Sequence, residues 1–273
     1  MKPPNPNGPP PVITRIVVGI LAIPLVLLPI WLGGVWCLML FLAVSLIGGM
    51  EFYTLAQRAG YRPVRALGLL WLAALVLSHW APAHLPPTVV LGSGLILTLI
   101  LALGQHQTPM HTWMSTSVGA IYLGTMLGQA LALRQLPQGA WWIFFGLFIT
   151  WINDTGAYFT GVTVGRHKLW PRLSPKKTWE GTVGGWMGAA LSGGLFAWLM
   201  PLPLSVPAGV AIGFVCGVLA LFGDLAVSMI KRQVGVKDSG RFFPGHGGML
   251  DRLDSLLFVL PFVYYVALLW FGF

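Results

Sequence analysis

The chain has 273 residues, of which 56% are hydrophobic and only 8% are charged, and its mean hydropathy is +0.78. Soluble domains contain about 25% charged residues, so this composition excludes an ordinary soluble globular domain. Apolar stretches long enough to cross a bilayer recur along the chain. The sequence therefore predicts an all-α integral membrane protein with about nine transmembrane helices.

The predicted elements follow one another with short polar connections. Residues 1–11 are rich in proline and too polar to pack, which predicts a disordered N-terminal arm. Residues 12–140 are predicted to hold the N-terminal transmembrane helices, and residues 141–273 a catalytic transmembrane region with cytoplasmic loops. The nine predicted spans are 13–30, 35–50, 66–80, 88–103, 113–133, 140–158, 181–199, 206–229 and 250–271.

The basic residues predict the orientation of the chain. With nine spans, fifteen of the sixteen lysines and arginines fall on the face that holds the N-terminus, and only Arg134 falls on the other. Cytoplasmic loops carry an excess of lysine and arginine. We therefore expect a multi-pass protein of the inner (plasma) membrane, with its N-terminus and its charged loops in the cytoplasm.

Acidic residues are more informative than basic ones, because topology does not require them. Six of the seven lie in the second half of the chain, beside predicted cytoplasmic segments. Asp154 and Asp224 fall inside apolar spans, where a carboxylate costs at least ~2.5–3.5 kcal/mol and marks a functional site by default. For Asp154, a structural pair with an arginine that locks two helices is the alternative.

The segment 222–255 carries chemistry at helical spacing. Asp224 and Ser228 are four residues apart and share one helical face, whereas Asp251 and Asp254 are three apart at the start of the ninth span. These carboxylates are predicted to face a common volume with a basic rim, formed by Lys231, Arg232, Lys237, Arg241 and Arg252. Mg²⁺ takes one or two protein carboxylates together with substrate oxygens, so the pattern is typical of a polyphosphate site.

Glycines precede the predicted ninth helix in the stretch "PGHGG", residues 244–248. Glycine allows close approach of the backbone to a ligand, and a helix start offers free N–H donors to an anion. His246 is able to donate to a phosphate or to transfer a proton. A plain turn is the alternative interpretation of this stretch.

The stretch "SMIKRQVGVKDSGRFFPGHGGMLDRLD", residues 228–254, resembles the signature of the phosphatidate cytidylyltransferases, the CDP-diacylglycerol synthases. The stretches "NDTGAYFTG" (153–161) and "SPKKTWEG" (174–181) resemble segments of the same family. The resemblance implies a membrane enzyme of phospholipid biosynthesis that converts CTP and phosphatidic acid to CDP-diacylglycerol and pyrophosphate. It further implies Mg²⁺, with a second cation left open, membrane lipids and a second copy of the chain as partners, and no nucleic acid.

The resemblance also assigns roles to residues. Asp224 and Asp251 correspond to the metal ligands, and the predicted catalytic residues are Asp224, Asp251, Lys231 and Asp154. The predicted substrate-binding residues are Lys176, Lys177, Arg232, Lys237, Asp238, Arg241, His246, Gly247, Gly248, Arg252 and Asp254. Two other functions are weighed against this one: a transporter or channel for a phosphorylated anion, and a membrane kinase or transferase that acts on a polyprenol or another lipid alcohol.

Overall fold

The computed structural model describes residues 23–105, 107–243 and 247–272, and these residues are mainly helical. The helices are α1 (Ile23–Leu32), α2 (Gly34–Arg58), α3 (Arg65–Trp80), α4 (Pro87–Leu103), α5 (Pro109–Gln135), α6 (Gly139–Thr163), α7 (Trp179–Leu199), α8 (Val206–Gln233), α9 (Leu250–Leu253) and α10 (Leu256–Phe271). The strands are β1 (Lys168–Trp170) and β2 (Ser174–Thr178). The predicted arm and the first part of the first predicted span lie outside the described residues.

The helices have the composition and surface of a membrane protein. Three of those in the described ranges, α2, α5 and α8, are long and apolar enough to cross a bilayer, and α1, α3, α4 and α10 are shorter apolar helices. Large hydrophobic side chains cover the outside of the bundle, such as Leu269, which is 82% exposed. Soluble monomers rarely expose apolar surface on this scale, whereas lipid-facing helices require it. The prediction of a helical membrane protein is confirmed at this level.

Two local features differ from the predicted elements. The predicted loop between the sixth and seventh spans contains an antiparallel hairpin, in which Lys168 pairs with Thr178 and Trp170 with Ser174. The ninth predicted span, 250–271, is divided into the single turn α9 and the apolar helix α10, with Asp254 and Ser255 between them. The charged start of that span therefore precedes the apolar helix α10 instead of belonging to it.

Helix α5 lies at the centre of the N-terminal half, where it packs against α2, α3, α4, α6 and α10. Glycines on α5 allow this close packing. Gly124 faces the backbone of Leu72 and the side chain of Leu75 on α3, and Gly128 faces the imidazole of His79. Small residues bring helix backbones together in a bilayer, where no hydrophobic force between helices does so.

Helices α6, α7 and α8 pack closely in the C-terminal half. Gly185 of α7 lies against Asn153 and Ala157 of α6, while Gly193 of α7 lies against Gly209 and Gly213 of α8. The hairpin is fixed to the same unit, because Leu173 at its turn is buried against two leucines of α8, Leu221 and Leu225. The hairpin, α6, α8 and α9 therefore meet in one region.

Candidate active site

Asp224 of α8 is held by a base from the hairpin. The Lys177 ammonium of β2 forms an ion pair with Asp224 Oδ2, and Ser228 Oγ donates to Asp224 Oδ1 at 3.2 Å. The prediction that Asp224 and Ser228 share one face of a helix is confirmed. The ion pair is half-buried and joins the hairpin to α8.

Asp251 of α9 forms a second and more buried ion pair. Lys231 Nζ donates to Asp251 Oδ1 at 2.6 Å, and the two side chains are only 10% and 7% exposed. Asp251 Oδ2 accepts hydrogen bonds from Ser239 N at 2.8 Å and Gly248 N at 2.9 Å, and Ser239 Oγ lies 3.0 Å from it. Burial raises the pKa of Asp251, but Lys231 and the backbone donors outweigh it and hold that pKa below its usual value.

Asp154 and Asp254 complete a group of three carboxylates with Asp224. Asp254 lies between α9 and α10, and its pKa is raised first by burial and then by the Asp224 and Asp154 carboxylates. Asp154 of α6 lies within electrostatic reach of Lys177, Asp224 and Arg252. In the part of the chain that the structure describes, its side chain has no ion pair with an arginine and accepts a hydrogen bond from Asn153 Nδ2 at 3.3 Å.

The arrangement of these carboxylates decides what kind of metal site they could form. Within the described ranges, no three histidine, cysteine, aspartate or glutamate side chains are arranged to hold a metal ion. Asp224 and Asp251 are paired with different lysines. The oxygen donors nevertheless suit Mg²⁺, and the mutual repulsion of Asp154, Asp224 and Asp254 is what a cation would relieve. The residues fit an ion that is bound together with substrate oxygens rather than a preformed cage.

The glycines before α9 pack against carboxylates of the chain itself. Gly247 has φ +81°, and a Cβ atom there would lie 2.6 Å from Asp251 Oδ2. The N–H groups of Met249 and Leu250 each donate to Glu51, at 2.9 Å, and that of Gly248 donates to Asp251. The expectation that these donors are free for an anion is therefore wrong, because two carboxylates of the protein already occupy them.

Glu51 is the site-forming residue that the sequence analysis missed. It lies on α2 and, besides the two backbone donors, accepts a hydrogen bond from Ser239 Oγ at 2.7 Å. One signal in the sequence was available: Glu51 is the only acidic residue in the first 150 residues. Its partners are 188 to 199 residues away in sequence, so no local pattern could reveal them.

The predicted basic rim divides into two groups. Arg232 forms hydrogen bonds with the backbone: its Nε donates to the carbonyl of Leu173 at 3.2 Å and its Nη1 to that of Val236 at 2.8 Å. Three exposed residues of the rim, Lys237, Arg241 and Arg252, have no hydrogen bond or ion pair with another described residue, and the same holds for two further predicted substrate-binding residues, Lys176 and Asp238. Their charges are available to a ligand. His246 lies outside the described residues.

Comparison with known proteins identifies the family. A model of the cytidylyltransferase family matches residues 13–270. The chain belongs to this family. A phosphatidate cytidylyltransferase of Synechocystis is 31% identical over 93% of this chain and 96% of its own length. One of Brucella suis is 33% identical over 92% and 91%, and one of Bacillus subtilis is 42% identical over 56% and 57%.

The buried pair between Lys231 and Asp251 leads to a stability prediction. Lys231→Met leaves the Asp251 carboxylate without its cation, and breaking a buried pair in this way costs about 3–5 kcal/mol. We expect a clearly lower unfolding temperature in detergent, with part of the loss recovered in Lys231→Met/Asp251→Asn. Lys176→Met, which removes an exposed lysine, is the matched control and should unfold like the wild type. Equal unfolding temperatures for Lys231→Met and the control would contradict the pairing.

Proposed function

We propose that the chain is a phosphatidate cytidylyltransferase, which converts CTP and phosphatidic acid to CDP-diacylglycerol and pyrophosphate in phospholipid biosynthesis. The family match over residues 13–270 carries this proposal, together with relatives of that name that align with more than 90% of the chain. The geometry is compatible with it, because carboxylates and bases from α6, the hairpin, α8 and α9 converge in one region.

The proposed reaction is an in-line substitution at phosphorus. An oxygen of the phosphatidate phosphate forms a bond to the α-phosphorus of CTP, and the bond from that phosphorus to the bridging oxygen of the β-phosphate breaks. Pyrophosphate leaves with the electron pair. No covalent intermediate with the protein is needed, so the chain contributes orientation and neutralisation of charge.

The proposed roles follow from the positions of the bases. Lys177 and Lys231 lie among the carboxylates, where each neutralises charge in a region of low dielectric constant. Lys176, Lys237 and Arg241 are exposed and would hold the phosphates of CTP. Arg252, Asp154 and Asp254 would line the space between these groups.

A divalent cation, Mg²⁺, is part of the proposal. Asp224 and Asp251 would hold it, and it would stabilise charge on the phosphoryl oxygens. The carboxylates of Asp154, Asp224 and Asp254 lie close together, which supports this assignment. Such a concentration of negative charge beside a bound triphosphate requires a cation. A second cation is left open.

The proposed setting is the inner (plasma) membrane, with nine spans, a cytoplasmic N-terminus and an active site that faces the cytoplasm, where CTP is present. The distribution of lysine and arginine supports this orientation. On the opposite face, Arg134 donates to the carbonyls of Ile30 and Trp31 and is engaged by the protein. The proposed second copy of the chain rests on the family resemblance.

The proposed reaction is tested with detergent-purified protein. We expect labelled CTP to be incorporated into CDP-diacylglycerol only when CTP, phosphatidic acid and a divalent cation are all present, and EDTA to abolish incorporation. Thin-layer separation of the lipid product measures the reaction. Activity that survives EDTA, or ATP that serves better than CTP, would contradict the proposal; a polyprenol that replaces phosphatidic acid would favour the lipid-alcohol transferase instead.

The role of Asp224 is tested by removing its charge. Asp224→Asn and Asp251→Asn should each lower kcat by at least ~100-fold, equivalent to about 2.7 kcal/mol of barrier. The double variant should lose little more, because groups that serve one ion act as a unit. Asp238→Asn, at an exposed loop position, is the charge-matched control and should be milder. Near-normal turnover and unchanged Mg²⁺ dependence in Asp224→Asn would make that carboxylate a packing partner of Lys177 alone.

The orientation is tested by labelling introduced cysteines in intact cells. The native Cys37 and Cys216 are buried, so they contribute little background. Arg172, at the hairpin turn, and His84, between α3 and α4, are both exposed. An impermeant thiol reagent should leave Arg172→Cys unlabelled and should label His84→Cys. The reverse pattern would overturn the proposed orientation.

A further inference from the structure

Glu51 joins the two ends of one loop. The loop runs from Ser239 to Leu250, and its first residue donates to Glu51 Oε2 through the Ser239 hydroxyl, at 2.7 Å. At its other end, Met249 N donates to Oε1 and Leu250 N to Oε2, both at 2.9 Å. One carboxylate of α2 therefore closes the base of a loop that belongs to the C-terminal half.

The packing around Glu51 leaves no room for a side chain at either of two neighbouring glycines. A Cβ atom on Gly240 or on Gly248 would collide with the Glu51 carboxylate. The two glycines thus let the backbone on both sides of the loop approach the same side chain. Close approach of this kind is the usual reason for glycine at a position that also has ordinary backbone angles.

Glu51 is also connected to the proposed active site. The Ser239 hydroxyl lies between two carboxylates, 2.7 Å from Glu51 Oε2 and 3.0 Å from Asp251 Oδ2. Asp251 in turn receives the ammonium of Lys231 at 2.6 Å. Two short contacts therefore lead from α2 to the buried ion pair, and the loop that begins at Ser239 carries Arg241.

We infer that Glu51 is a positioning residue, whose carboxylate holds together the two described ends of the loop, residues 239–243 and 247–250, and thereby presents Arg241 to the phosphates of CTP. This inference rests on the proposed function for the identity of the ligand, but the closure of the loop by Glu51 does not. Glu51 acts through Ser239 and the backbone of α9 and does not itself touch the substrate. Among the described residues, Glu51 is the carboxylate that accepts the hydrogen bonds of Met249 N and Leu250 N.

Hydrogen exchange tests the closure of the loop without reference to activity. Glu51→Gln keeps the size of the side chain but replaces one acceptor oxygen by an NH₂ group, which cannot accept the hydrogen bonds that converge there. The amides of Met249 and Leu250 in full-length protein in detergent should exchange roughly tenfold faster or more, as expected for the loss of hydrogen bonds to a charged group. Glu180→Gln is the matched control: it removes an acid that accepts the N–H groups of Arg166 and His167 at the hairpin base and should leave the exchange of residues 249 and 250 unchanged.

Steady-state kinetics test the positioning role. Glu51→Gln should raise the KM for CTP by roughly fivefold or more, because the loop that carries Arg241 is no longer held in place. A variant that merely lowers the folded fraction would lose kcat at an unchanged KM. Ser239→Ala removes the hydroxyl from the same contact and should shift the KM in the same direction, and the double variant should add little because the two groups are coupled. Glu51→Asp, which restores a carboxylate on a shorter side chain, should recover part of the affinity.

The outcomes separate this inference from the proposed function. Unchanged exchange at residues 249 and 250 in Glu51→Gln would overturn the inference, whatever the enzyme does. Faster exchange with an unchanged KM for CTP in an active enzyme would also overturn it, since the loop would then be closed for stability alone. A wild-type protein that forms no CDP-diacylglycerol would refute the proposed function and leave the exchange experiment intact. If Glu51→Gln is not monodisperse, Ser239→Ala supplies both readouts from the loop side of the contact.

Discussion

The ion pair between Lys231 and Asp251 constrains how the C-terminal half is assembled. Both side chains are almost withdrawn from solvent, and a buried charge that loses its partner is far more costly than an exposed one. The ion pair therefore fixes the position of α9, which carries Asp251, relative to the end of α8, which carries Lys231. The remaining oxygen of Asp251 then fixes Ser239 and Gly248 through their N–H groups. Ser239 and Gly248, at the two ends of the loop, are therefore tied to this one pair.

The carboxylates of the site differ in how far the protein satisfies them. Asp251 accepts hydrogen bonds from Lys231, Ser239 N and Gly248 N, Glu51 accepts them from Met249 N and Leu250 N, and the single hydroxyl hydrogen of Ser239 lies between the two carboxylates. Asp224 accepts one hydrogen bond from Ser228 and the ion pair from Lys177, and its neighbours Asp154 and Asp254 are acids. A carboxylate has about four lone-pair sites, so Asp224 retains acceptor capacity that Asp251 has largely used. In the proposed cation site, Asp224 is thus the more available ligand, and Asp251 has to share its oxygens with the loop.

Sequence reasoning succeeded where the relevant contact is local or where composition alone decides. The spacing of Asp224 and Ser228 predicted that they share one helical face, and the scarcity of charge predicted a helical membrane protein. It failed where the contact is tertiary. The N–H donors before α9 look free in sequence because their acceptor, Glu51, lies 198 residues from Met249. The contact of the Arg232 guanidinium with the carbonyl of Leu173, which the hairpin brings to it, was likewise not predicted. Neither partner could be identified without the fold.

Close helix packing accounts for the position of Asp154 beside Asp224. The preceding residue, Asn153, is buried between α6, α7 and α8, and a Cβ atom on Gly185 of α7 or Gly217 of α8 would lie 3.0 or 3.1 Å from its Oδ1. Two glycines from different helices therefore make the space for one amide of α6. Larger side chains at these glycines would force α6 away from α7 and α8, since packed helices have little free volume to absorb them. The distance between the acids of α6 and α8 is thus set by residues that carry no charge, and the electrostatics of the site depend on the glycines as directly as on the aspartates.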